Sequence, residues 1–182
     1  MQCPKMLIVV LALVSVAACD NKEAAPPAGS ASPAAPGPSG AAKAPAALEW
    51  KKLDKLGLQV EMPADAEVMD TSADAPNASI FNNDCKVSVN TVTPVYTESY
   101  DSAVKEVKGD PGTKFKEFKK NEKTADGWHF EWVAEGSMEP KPVYAVLIRK
   151  TIGGKQYECS EKSETPEAAA CTVRACQSLK KL

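Results

Sequence analysis

Four cysteines, one histidine and a lysine-rich run are the residues of this chain whose types and spacing could do chemistry. Cys85, Cys159, Cys171 and Cys176 could bind a metal, cycle as redox thiols or form structural bridges. Zinc sites draw ligand pairs two to four residues apart, and redox pairs have two residues between the thiols. Cys171 and Cys176 have four residues between them, which places them about 140° apart around an ideal helix. They cannot easily reach each other, so each must reach another element. Two structural disulfides fit best, and no metal is expected. The preferred pairing is Cys159–Cys176 with Cys85–Cys171, and the swapped pairing is the alternative. Each bridge contributes about 2–4 kcal/mol. An oxidising compartment is where such bridges persist.

His129, the only histidine, lies in GWHFEW. On a strand, Trp128, Phe130 and Trp132 point one way and His129 and Glu131 the other. A His/Glu acid–base pair is the sharp reading. The preferred reading is two polar residues on a solvent face, with the aromatic set in the core. Ser102-Ala-Val-Lys105 matches the S-x-x-K of penicillin-binding enzymes by letter, but the companion motifs are absent and the domain is too small. It reads as chance on an exposed helix face. In TKFKEFKKNEK, Lys114, Lys116, Lys119 and Lys120, with Lys123, form a candidate binding surface for acidic head groups or an anionic polymer. The same pattern protects a sheet edge from aggregation, which is the preferred reading. No phosphate loop, dinucleotide fingerprint, nucleophile elbow or calcium loop occurs, so no cofactor is expected. The net charge of −2 over 182 residues gives no reason to expect nucleic acid as a partner.

These residues must be positioned by elements legible in the pattern. Leu56, Leu58, Val60 and Met62 alternate with other residues as a half-buried strand that ends at Pro63. Residues 63–78 read as a Pro/Asn/Asp-rich loop. Cys85, Val87 and Val89 share one face of a second strand. Tyr100, Val104 and Val107 recur at helical spacing, with Ser99 as cap and Gly109 as stop. TKFKEFKKNEK and GWHFEWVAEG flank Ala125-Asp126-Gly127 as a hairpin. PVYAVLIRKTI is apolar enough for a central strand buried on both faces. Gly153-Gly154 turns into KQYECSE. Thr165 and Pro166 then open a helix that runs to the C-terminus. The expected fold class is α+β: one mostly antiparallel sheet of about six strands, a short helix after strand 2, and a C-terminal helix packed on one face.

The N-terminal part gives an address. Residues 6–18, MLIVVLALVSVAA, are a 13-residue apolar run behind Lys5, too short for a span of about 20 residues. It fits the apolar region of a secretory signal. Val16-Ala17-Ala18-Cys19 resembles the lipobox of bacterial lipoproteins. That resemblance implies removal of residues 1–18, with Cys3, and a diacylglyceryl group on the Cys19 sulfur. Acylation of the new amine, a membrane anchor and an exported domain are implied with it. Asp20 resembles an inner-membrane retention signal of some envelopes, which leaves the choice of membrane open. Residues 20–47 hold 11 alanines and 6 prolines among 28 positions, with no Leu, Ile, Val or aromatic residue. Such a segment cannot offset its ordering entropy and is expected to be a disordered tether. The expected organisation is therefore a signal at 1–18, acylated Cys19 with the tether at 19–47, and a globular domain at 48–182.

The order of elements in 48–182 loosely resembles the PsbP-like family, which has an early extended segment ending in proline, a helix after the second strand and a closing C-terminal helix. No residue motif carries that resemblance. The function expected from the whole is a membrane-anchored, non-catalytic binding or accessory module for an envelope protein or component. The alternative is a small-ligand carrier or enzyme using the sheet around Trp128–Trp132 and His129.

Overall fold

The computed structural model describes residues 47–71, 76–93 and 99–182. The signal at 1–18, Cys19 and the tether up to residue 46 lie outside the described residues. The elements in chain order are β1 (Leu48–Leu53), a 3-10 turn (Asp54–Leu56), β2 (Leu58–Pro63), β3 (Glu67–Thr71), β4 (Asn77–Phe81) and β5 (Lys86–Thr91). Next come α1 (Tyr100–Gly109), β6 (Thr113–Lys123), β7 (Trp128–Gly136), β8 (Pro142–Ile152), β9 (Lys155–Ser163), α2 (Pro166–Ser178) and β10 (Lys180–Lys181).

The strands form two antiparallel sheets, one of three strands in the order β1-β2-β10 and one of seven in the order β3-β4-β5-β9-β8-β7-β6. This overturns the expected single sheet of about six strands. The short helix follows β5 and not the second strand. The helices lie on opposite faces of the large sheet and not together on one.

The physical reasons are local. In β1 only Leu53 is buried, so no alternation announces the strand. Much of the expected 63–78 loop is instead β3 and the start of β4. β3 is an edge strand with exposed Val68 and Met69, and an edge strand with one partner needs little apolar character. The C-terminal helix stops at Ser178, and Lys180–Lys181 pair with Leu58 and Gln59. There Lys150 Nζ donates to the carbonyls of Gln177 and Leu179 at 3.1 and 3.2 Å, satisfying helix-end acceptors.

The register explains the two cores. On β7, Trp128, Phe130, Trp132 and Ala134 lie opposite Arg149, Leu147, Ala145 and Val143 of β8. That face packs on α1 through Tyr100, Ala103, Val104 and Val107, with Phe115 and Phe118 of β6. The other face carries Val146 and Ile148 of β8, Tyr157 and Cys159 of β9, and Val87 and Val89 of β5. It packs with α2 and with Leu58, Val60 and Met62 of the small sheet in the larger core. Both helices carry the side-chain caps that their sequences announce. Ser99 Oγ accepts from Ser102 N at 3.1 Å, and Thr165 Oγ1 accepts from Ala168 N at 3.2 Å.

Two disulfides hold α2 to the large sheet: Cys85–Cys171 at the start of β5 and Cys159–Cys176 on β9. Thr172 Oγ1 adds a hydrogen bond to the Lys86 carbonyl at 2.9 Å. Gly127 closes the β6–β7 hairpin where a Cβ would stand 2.0 Å from the Arg149 carbonyl oxygen, so only glycine fits. Gly153 and Gly154, at φ +60° and +79°, form the tight β8–β9 turn.

Candidate functional site: a cleft beside α1

α1 packs on the aromatic face of β6 and β7, and Glu158 and Lys162 of β9 border the space beside it. The gap is a half-open cleft of about 690 Å3 lined by α1, by the turn after it and by the large sheet. Ala103 and Val107 of α1, Trp132 of β7 and Leu147 of β8 supply the apolar lining. Ser102, Lys105 and Glu106 come from α1, Asp110 from the turn, and Glu158 and Lys162 from β9. Alternation brings Glu158 and Lys162 to the same face of β9 as Arg149 and Leu147 of β8.

The charges are arranged in two pairs. Lys162 binds the Asp110 carboxylate, which also accepts from Gly112 N at 2.9 Å and Thr113 Oγ1 at 3.1 Å. The Lys162 hydrogen bond is the main cause that holds the Asp110 carboxyl below its usual range. Arg149 is buried, lies 2.7 Å from Glu158 and sits with its guanidinium 4.3 Å from the Trp128 ring centroid. The turn is braced by Ser137, whose N donates to Gly112 O at 3.2 Å and whose Oγ donates to Pro111 O at 2.9 Å. The walls are therefore fixed by several bonds and not by one.

Trp132 is only 6% exposed, and its indole N–H has no acceptor among the described residues. An indole nitrogen can only donate. A buried donor left unpaired costs about 1–3 kcal/mol.

The structure separates the other candidate residues. His129 and Glu131 lie on the sheet face opposite Trp128, Phe130 and Trp132, and they do not line the cleft. The expected solvent position of His129 is corrected: it is 6% exposed. Glu122 of β6 and Ile148 of β8 stand beside it across the strands, and a residue flanked on both sides loses its water. His129 Nε2 is 2.7 Å from Glu131 Oε1. Burial pushes the imidazole below the usual histidine range, helped by Lys120 and opposed by Glu131 and Glu122.

A lowered histidine value gives stability above the unfolded value of 6.5 that is lost as pH falls through it. Urea unfolding is therefore expected to show a smaller free energy at about pH 5.5 than at about pH 7.5, and His129→Gln should remove that part of the drop. An equal drop in the variant would assign the effect to other groups.

The lysines of β6 sit on the edge strand of the large sheet. Each of the four has a glutamate beside it. Lys114 and Lys116 lie 3.8 and 2.8 Å from Glu135, Lys120 lies 3.2 Å from Glu122, and Lys119 binds Glu117. The register shifts around Lys116 and Lys119 bend this edge, a feature that discourages pairing with another sheet. Ser102 and Lys105 both reach the cleft, but no hydrogen bond joins them among the described residues.

Sequence reasoning missed Asp110, Arg149, Glu158 and Lys162 as a set. The weak signal was Glu158 and Lys162, two charges with even spacing on a strand otherwise read for its cysteine. No group of three or more metal-ligating side chains occurs among the described residues.

Fold and site together define a small, disulfide-bonded, mostly antiparallel β domain with one helix on each face of its large sheet and a cleft beside one of them. No family model matches the chain, and no curated protein matches it. A crystal structure of a protein from Bacteroides thetaiotaomicron VPI-5482 aligns with 70% of this chain at 11% identity and a TM-score of 0.39. The aligned part spans 46% of that protein, about half its length.

The two disulfides belong with an oxidising, extracytoplasmic setting. Among the described residues no helix is long and apolar enough to cross a membrane.

Proposed function

We propose that this chain is an exported lipoprotein, anchored through acylated Cys19, whose folded domain is a non-catalytic binding module of the bacterial envelope. The observation that carries the binding reading is the cleft beside α1. It has an apolar lining, a charged rim and walls braced by ion pairs and turn hydrogen bonds, features common to sites for small ligands. Its charged groups are mostly neutralised in pairs and do not converge on one reacting atom. The anchor reading is supported by the lipobox Val16-Ala17-Ala18-Cys19, by the tether that follows it and by the two disulfides of the domain.

Two or more acyl chains anchor stably where one does not. In cells fed a labelled fatty acid, the wild-type protein is expected to take up label and to sediment with membranes. Cys19→Ser is expected to lose the label and move to the non-sedimenting fraction. A Cys19→Ser protein that still sedimented with membranes would overturn the anchor.

The enzyme reading around His129 has a specific observation in its favour, the close His129–Glu131 contact. That pair lies on the sheet face away from the cleft, with His129 buried and Glu131 partly exposed, which weighs towards a structural role.

A further inference from the structure

Lys162–Asp110 and Arg149–Glu158 neutralise one another at the cleft. Lys105 and Glu106, which also line it, make no ion pair among the described residues. One cation and one anion, both on the exposed side of α1, are thus left to the same space, beside an apolar floor of Trp132 and Leu147. A simple anion would meet Glu106 and Glu158, and a simple cation would meet Lys105 and Lys162. A purely apolar occupant would leave both free charges unanswered. The occupant that satisfies every group carries a positive end, a negative end and an apolar side group. About 690 Å3 also lies within the usual size of small-ligand sites.

We infer that the cleft beside α1 binds a short zwitterionic peptide, or a free amino acid, with an apolar side chain. The side chain lies over Trp132 and Leu147. The carboxylate end pairs with Lys105 and the ammonium end with Glu106. This inference rests on the binding-module reading and names its ligand class.

The test uses the indole N–H signals of the three tryptophans, Trp50, Trp128 and Trp132, in nitrogen-15-labelled protein. The protein is taken from whichever cell fraction holds it, so the outcome does not depend on the anchor. Leucyl-leucine is the probe, and N-acetyl-leucyl-leucine amide is the blocked control. Leucyl-leucine should shift the Trp132 signal saturably and leave Trp50 in place. The blocked dipeptide lacks both charged ends and should bind about a hundredfold more weakly, since each lost charged hydrogen bond counts for about tenfold. Glu106→Gln, which removes the anion proposed for the ammonium end, should weaken binding about fivefold. Lys105→Gln, on the exposed helix face, should weaken it by a similar factor without moving the melting temperature. No Trp132 shift at millimolar leucyl-leucine would overturn the inference. So would equal binding of the blocked control, or binding indifferent to both substitutions. Free leucine appearing in the same tube would overturn the non-catalytic reading while the ligand class stood.

Discussion

Replacing Cys85 and Cys171 together by alanine is expected to lower the folding free energy by about 4–5 kcal/mol, the largest single effect foreseen for this domain. The bridge closes a loop with a sequence separation of 86 residues, whereas Cys159–Cys176 closes one of 17. In the loop-entropy account the shorter loop is worth about 3 kcal/mol. Removing the long-loop bridge should therefore cost more than removing the short one. Both bridges end on α2 and both sulfur pairs lie in the larger core, so the packing loss on substitution is comparable and the difference reports the loop. Urea unfolding of the two double variants, in the absence of reductant, measures it. Equal losses would mean that native packing, and not restriction of the unfolded chain, sets the value of these bridges. A protein so dependent on cross-links is expected to fold poorly where thiols stay reduced.

Phe130→Ala is expected to cost about 3–5 kcal/mol, the usual range for deleting a fully buried aromatic ring. Phe130 has no exposed surface. Its ring centroid lies 5.5 Å from that of Tyr100, 5.7 Å from Phe118 and 6.1 Å from Trp128. These contacts make it the centre of the core that seats α1, and α1 contributes only Ala103 and Val107 as buried residues of its own. Removing the ring should loosen α1 before α2, because α2 is held by two disulfides on the opposite face. Hydrogen exchange read by mass spectrometry should show lost protection in residues 100–109 and retained protection in 166–178. Equal loss in both helices would mean that the two cores unfold as one unit. Because the cleft depends on the seat of α1, the same variant should also lose binding of leucyl-leucine, whereas Cys159→Ala with Cys176→Ala should not.

Features that depend on near neighbours in the chain could be read directly from the residues. Ser99 and Thr165 cap the two helices because a hydroxyl next to free backbone N–H groups stabilises that geometry wherever the helix later packs. Alternation on β7 separates Trp128, Phe130 and Trp132 from His129 and Glu131, whatever lies on either side. PVYAVLIRKTI is apolar on both faces and lies between β7 and β9. Five-residue separation in α2 sends Cys171 and Cys176 to different partners.

What needed distant residues was not legible. β1 and β3 carry little alternation, and they are strands because β2 and β4 offer them hydrogen-bonding edges. Lys180–Lys181 extend the small sheet only because β2 lies alongside the end of α2. The burial of His129 depends on strands from both sides. The cleft brings together residues from 102 to 162, and no spacing in the chain encodes that meeting. The sequence alone determined which faces are apolar and where the helices begin, because short-range sterics and hydrogen bonding decide those. Only the tertiary structure decided that the strands divide into two sheets, that the helices take opposite faces and that a charged cleft opens beside α1. Those outcomes depend on which apolar faces meet, and burial is non-directional, so the pattern of one segment does not name its partner.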